Sequence, residues 1–286
     1  MSKKRILITG TGSYVGTNLI KWLNQWPDQY VIEEISVRGE EWKKKDFSMF
    51  DSVLHVAGIA HVSTDPKMEE QYYKVNRDLT IEVAEYAKNQ GVKQFIFMSS
   101  IIVYGDSSSY KRIIDGTTVP EPSNFYGNSK LQAEEGIKTL ENESFKVAVI
   151  RPPMIYGKNS KGNYPKLAKA AKVLPLFPDF DNVRSMLHID NLSEFLRLIV
   201  ENEERGLFFP QNKEYVKTSE MVKDIAHLHG KDIKLVKIFN FVLKPMIGKV
   251  KIVNKVFGNL IYDMEISGYK EDYQIRNLKE SVKKSM

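Results

Sequence analysis

The sequence predicts an α/β fold: a doubly wound parallel sheet with a smaller C-terminal α/β lobe. Short apolar runs recur through the first 150 residues, helical patterns separate them, and the alternation stops beyond residue 153. Continuous apolar strands divided by helices indicate a parallel sheet covered on both faces. The 286 residues, 42% hydrophobic and 27% charged, are ample for such a core.

The strand candidates, in order, are "RILITG" (5–10), "YVIEEISVR" (30–38), "SVLHVAG" (52–58), "QFIFMSS" (94–100) and "KVAVIRP" (146–152). Helical spacing marks 15–26 and 76–91, the second ending on Gly91 as C-cap. The connection "GEEWKKKDFSMF" is too short and irregular for a full crossover helix. Further on, "PLFPDFDN" (175–182) reads as loop, and 190–206 and 218–230 as helices, the latter capped by Thr218 or Ser219. The boundary falls near residue 155, giving a dinucleotide-binding domain (1–155) and a partly interleaved substrate lobe (156–286). Segment 236–261 mixes lysines with apolar residues. Its apolar face is expected to pack on the lobe while the lysines snorkel, because Pro245 and Gly248 interrupt any long rod.

Composition narrows the chemistry. Without cysteine there is no disulfide, thiolate catalysis or cysteine metal site. The five histidines (55, 61, 188, 227 and 229) show no ligand spacing, so no metal is expected. No apolar run is long enough to span a membrane, and the chain enters a strand within a few residues. A cytoplasmic protein is expected. The net charge of +6, with basic residues spread along the chain, suits a phosphate-bearing small molecule, and no nucleic-acid partner is expected.

"ILITGTGSYVG" sets Gly10, Gly12 and Gly16 in G-x-G-x-x-G spacing between the first strand and first helix. This is the Rossmann-type phosphate loop: a tight turn, an approach for the pyrophosphate, and close helix–sheet packing. The helix start supplies amides and dipole for the anion. At the end of strand two, a carboxylate would select NAD and an arginine NADP. Arg38 occupies the predicted strand end, with Glu40 and Glu41 beyond it, which inclines the cofactor from NAD towards NADP(H).

"SNFYGNSK" (123–130) places Tyr126 and Lys130 on one face of a helix. A tyrosine ionises near pH 10, too high for a base at neutrality, and a neighbouring ammonium would lower that value. Upstream, Ser99 and Ser100 close a buried strand, and either could donate to a substrate oxygen.

Together "TGTGSYVG", "HVAG", "MSSIIVYG", "YGNSK" and "RPPMIYG" resemble the extended short-chain dehydrogenase/reductase superfamily, in its nucleotide-sugar epimerase/dehydratase branch. The likeness runs from about residue 5 to 200. It implies a catalytic trio of Ser100, Tyr126 and Lys130. It also implies cofactor contacts from Gly10, Gly12, Ser13, Tyr14, Val15, Gly16, Arg38, Ala57, Gly58 and Pro153, besides Tyr126 and Lys130. Substrate contacts would come from Ser100, Asn163 and Arg184, the arginine gripping a UDP diphosphate or else pairing with Asp179 or Asp181. The dehydratases' acid and base positions hold Ile101 and Ile102, which cannot move protons, so a 4,6-dehydratase is not expected. A homodimeric UDP-sugar 4-epimerase or 4-ketoreductase of surface-polysaccharide synthesis is what the resemblance implies. Met154 replaces an asparagine of UDP-galactose epimerases, and their second arginine has no evident counterpart. The reading of another class is a redox-sensing NAD(P)-binding regulator without turnover.

Overall fold

A computed structural model of the chain describes residues 3–59, 65–107 and 113–286; His61 lies outside them. The chain divides into two compact units. The first comprises 1–105, 120–152 and 193–209, and the second 106–119, 153–192 and 210–286.

The first unit is built on six parallel strands: β1 (Lys4–Thr9), β2 (Tyr30–Ile35), β3 (Ser52–His55), β4 (Gln94–Met98), β5 (Lys146–Ile150) and β6 (Gly206–Phe208). Their order is β6-β5-β4-β3-β1-β2, so the winding reverses between β1 and β3. In an open α/β sheet that reversal leaves a crevice beyond the carboxyl ends of the strands, where ligands bind. Helices α1 (Tyr14–Leu23), α2 (Leu79–Asn89) and α3 (Phe125–Lys138) belong to this unit. β3 and β4 are buried along their whole length, as strands covered on both faces must be. One side of the core is formed by Leu7, Trp42, Phe47, Val53, Phe95 and Phe97 among others.

All five strands expected in this region form, with β2 ending at Ile35 rather than Arg38. The short crossover is a single 3₁₀ turn, Glu41–Lys44, anchored by buried Trp42. The helix expected from residue 76 begins earlier, through a 3₁₀ turn at Pro66 and a π-helical stretch, Tyr73–Asp78. Gly206–Phe208 is a sixth strand that the sequence reading missed, being only three residues long.

The second unit has three short parallel ladders: 154–156 with 186–188, 176–178 with 234–236, and 113–114 with 261–262. Helices pack around a core that includes Tyr156, Phe177, Met186, Val222 and Phe257. The stretch expected as loop at 175–182 therefore contains a strand, stabilised by a partner from 58 residues further along the chain that local pattern cannot show. Helix α4 (Thr218–Leu228) is not capped by Thr218 or Ser219. Its cap position is Lys217, and the Thr218 amide donates to Asn182 Oδ1 at 3.1 Å. Among the described residues, no helix is long and apolar enough to cross a membrane, and no group of three His, Asp or Glu could hold a metal.

Candidate active site

The loop after β1 turns into α1 through Ser13, whose Oγ accepts the Gly16 amide at 3.1 Å as N-cap. Gly12 has φ of 68°, and a Cβ built there would meet nothing within 4 Å, so its backbone faces open space. A Cβ on Gly16 would lie 2.7 Å from Ser13 Oγ and 3.0 Å from Ile8, so only glycine permits this seat of helix on sheet. Tyr14 and Val15 open the helix. An open amide-lined turn at a helix start fits a dinucleotide pyrophosphate, and Gly10, Gly12, Ser13, Tyr14, Val15 and Gly16 are the residues that would hold it.

The carboxylate that matters at β2 is Glu34, which the sequence reading passed over. Its Oε1 accepts the Gly12 amide at 3.2 Å, putting an acid directly at the phosphate loop. Arg38 lies three residues past the strand end, exposed to solvent. The signal was available: Glu34 stands 18 residues after Gly16, near the spacing expected of a ribose-binding acid. It was obscured by extending the strand three residues too far.

Beyond β3, the loop carrying Ala57 and Gly58 is pinned by Asn76, fully buried on the π-helical stretch. Asn76 Oδ1 accepts from the Ile59 amide at 2.8 Å, while its Nδ2 donates to Ser129 Oγ on α3 and to Ile59 O, each at 3.2 Å. A Cβ on Gly58 would lie 2.9 Å from Asn76 Oδ1 and 3.3 Å from Lys130 Nζ. This loop and α3 thus meet where only glycine fits.

Below it His55 is buried, bonded through its two ring nitrogens to Thr9 and Thr80 hydroxyls at 2.8 and 3.1 Å. Burial, and then the Lys130 charge, hold its pKa down to about 3. It is a neutral support for the crevice floor.

Helix α3 begins at the cap Asn124, whose Oδ1 accepts the Gly127 amide at 2.9 Å, and carries Tyr126 and Lys130 on one buried face. Ser100 follows β4; its hydroxyl accepts the Ile102 amide at 3.3 Å and hydrogen-bonds the Tyr126 phenol. Lys130 Nζ donates to Met98 O at 3.0 Å and lies 4.5 Å from the Phe97 ring centroid. Ser100, Tyr126 and Lys130 are therefore brought together at the carboxyl end of β4. Ser99 points elsewhere, donating to the Glu134 carboxylate.

The electrostatics differ from expectation. Burial pushes the Tyr126 phenol up to about 12, the Ser100 hydrogen bond pulls it down, and Tyr72 raises it a little further. Burial lowers the Lys130 ammonium to about 8, opposed by Glu134. No lowering of Tyr126 by Lys130 enters this balance, because the ammonium is directed at the Met98 carbonyl.

Residues 6–209 match the NAD dependent epimerase/dehydratase family. The chain belongs to that family. It is thus an NAD(P)-dependent member of the branch that holds nucleotide-sugar epimerases, dehydratases and reductases. The chain is 30% identical to a UDP-glucose 4-epimerase of Vibrio cholerae, over 91% of this chain and 88% of the relative. It is also 30% identical to the N-acetyl-α-D-glucosaminyl-diphospho-ditrans,octacis-undecaprenol 4-epimerase of Escherichia coli O157:H7, over 70% and 64% of the two chains. Its fold is similar to that of the UDP-glucuronic acid 4-epimerase of Bacillus cereus, with a TM-score of 0.75 at 17% identity, covering 98% and 96% of the chains.

Behind Ser100 and Tyr126 lies a buried ion pair that the sequence reading did not identify. Arg151 Nε donates to both Glu134 oxygens at 3.1 Å and Nη1 to the Tyr104 hydroxyl at 2.6 Å. Glu134 also receives Ser99, so the end of β4, α3 and the end of β5 are tied together behind Ser100 and Tyr126.

The remaining expected site residues belong to the second unit. Pro153 is buried at its first position after the break, and Asn163 precedes the helix Tyr164–Val173 without capping it. Arg184 is buried, and its Nη1 donates to the carbonyls of Gly258, Lys255 and Asn254 at 3.0, 3.2 and 3.4 Å. Those carbonyls close helix α5 (Lys251–Phe257), where a cation is favoured. The alternative partner, Asp179, pairs with Lys217 at 2.8 Å instead.

Proposed function

We propose that this protein is an NAD-dependent 4-epimerase of a UDP-hexose or UDP-N-acetylhexosamine, serving surface-polysaccharide synthesis. The observation carrying this reading is the convergence of Ser100, Tyr126 and Lys130 beside the strand-end loops of one unit. Glu34 at the phosphate loop favours NAD, since its carboxylate would bond a ribose diol and repel a 2′-phosphate. Similarity to the Vibrio cholerae enzyme over most of both chains supports the substrate class.

NAD, when bound, would supply the hydride-accepting and hydride-donating chemistry needed at C4 of the sugar. Tyr126 takes the O4 proton as the hydride leaves, giving a 4-keto sugar, and gives the proton back after the sugar has turned. Ser100 donates to the same oxygen and orients it against the phenol. Buried and neutral in the free chain, Tyr126 becomes a base only when positive charge arrives beside it. Lys130, its ammonium already buried against the Met98 carbonyl, would hold the cofactor's ribose. Ile101 and Ile102 offer no acid or base for eliminating water, so the keto sugar is not dehydrated.

Incubating the protein with UDP-glucose or UDP-N-acetylglucosamine and NAD, without reductant, should yield the C4 epimer. Consumption of NADPH with a 4-keto sugar, and no epimer, would make it a 4-ketoreductase. Cofactor binding without either turnover would make it a regulator.

A further inference from the structure

Of the chain's 42 Lys and Arg, six lie in residues 233–262, which contain none of its 36 Asp and Glu. The rest of the chain is electrically balanced, so this one segment accounts for the whole net charge of +6. The basic residues are spread along the chain, as expected; what sets this segment apart is its lack of acids.

The same segment exposes its apolar side chains. Ile247, Val253 and Phe257 enter the core of the second unit, as snorkelling packing would require. Ile238 is 80% exposed, Phe241 87%, Ile252 63% and Val242 57%, with Phe239 also open. Soluble proteins scatter such residues singly; a concentration of them marks a contact surface. Lys237, Lys244, Lys249, Lys251 and Lys255 stand exposed among them. Among the described residues, Lys244, Lys249, Lys251 and Lys255 form no ion pair. The ladder of 176–178 with 234–236 extends the face, setting exposed Leu176 beside Lys234.

We propose that this lysine-and-apolar face rests on an anionic lipid surface, with Ile238, Phe241 and Ile252 entering the interface and the lysines meeting the headgroups. Charge decides between occupants. A second copy in a two-fold contact would set lysines against lysines, which is repulsive. An acidic bilayer complements them, and apolar burial with basic attraction is how interfacial segments bind. The face lies on the surface and does not span, in keeping with short helices of four and seven residues.

The test is sedimentation of the full chain with vesicles of phosphatidylethanolamine and about one-quarter phosphatidylglycerol, against phosphatidylcholine alone. Binding is expected to the acidic vesicles only and to be released by salt. Lys244→Glu with Lys249→Glu should weaken it roughly 25-fold or more, at about fivefold per neutralised lysine. Ile238→Ser with Phe241→Ser should also release it, while epimer formation and thermal unfolding stay unchanged because both side chains face solvent. Absence of binding to acidic vesicles, equal binding to phosphatidylcholine, or retention by both variants would overturn the proposal. So would self-association in the ultracentrifuge that the serine variant abolishes, since a second copy would then occupy the face.

Discussion

At Tyr126 the physical chemistry is a contest between burial, which keeps the phenol protonated, and the Ser100 hydrogen bond, which stabilises the phenolate. Tyr126→Phe is expected to lower turnover by about 10² to 10⁴, the usual worth of a positioned proton carrier, with NAD binding retained in a fluorescence titration. Lys130 presents the opposite case, a cation held at about 8 by burial against 10.5 ordinarily. The folded chain then binds fewer protons than the unfolded chain between those values, so stability rises with pH across that window. Below pH 8 the full cost of burying the charge is present. Lys130→Met should therefore abolish turnover without lowering the unfolding midpoint at pH 7, and should remove the rise in stability from pH 8 to 10.5. Glu34→Ala should cost about tenfold or more in NAD affinity, the worth of hydrogen bonds to a charged group, and should reduce discrimination against NADP. Tyr126 and Lys130 stood out by their spacing, while the strand end left Ser99 and Ser100 open and the family resemblance alone selected Ser100. Glu34 was not, because an apolar-looking "ISVR" tail carried the predicted strand past it.

Among the elements, the buried strands were legible from composition, since both faces are covered and most positions are apolar, with Ser52, His55 and Gln94 the buried polar exceptions. Three-residue strands such as Gly206–Phe208 and Leu176–Pro178 were not, because distant partners supply their hydrogen bonds. The π-helical stretch Tyr73–Asp78 has no sequence signature, yet it delivers Asn76 to the Gly58 loop. The Arg151–Glu134 pair, some 6% exposed, ties α3 to the strands behind the catalytic residues. Arg151→Met should destabilise the fold by about 3–5 kcal/mol in urea unfolding, because Glu134 is left buried without its partner. Pairing it with Glu134→Leu should recover much of that loss, which a pair of independent packing defects would not do.

For the whole molecule, the two units carry different information. The parallel sheet and the glycine loop could be read from pattern, and both lie in the first unit; the strand order could not. The second unit is held by long-range polar contacts, such as Gln211 with Tyr262 and Ser267, or Asn212 with Tyr156, which no local pattern announces. Arg184 is engaged there by the carbonyls that close α5, a role no local pattern announces. Transfer of a single hydride out from and back to the same carbon is the central claim. The most direct measurement follows a UDP-sugar carrying deuterium at C4, incubated with NAD in ordinary water and read by NMR. The deuterium is expected at C4 of the epimer, undiluted by solvent, and Tyr126→Phe should form that epimer about 10² to 10⁴ times more slowly. Epimer in which solvent hydrogen has replaced the label, or epimer formed at the normal rate by Tyr126→Phe, would contradict it.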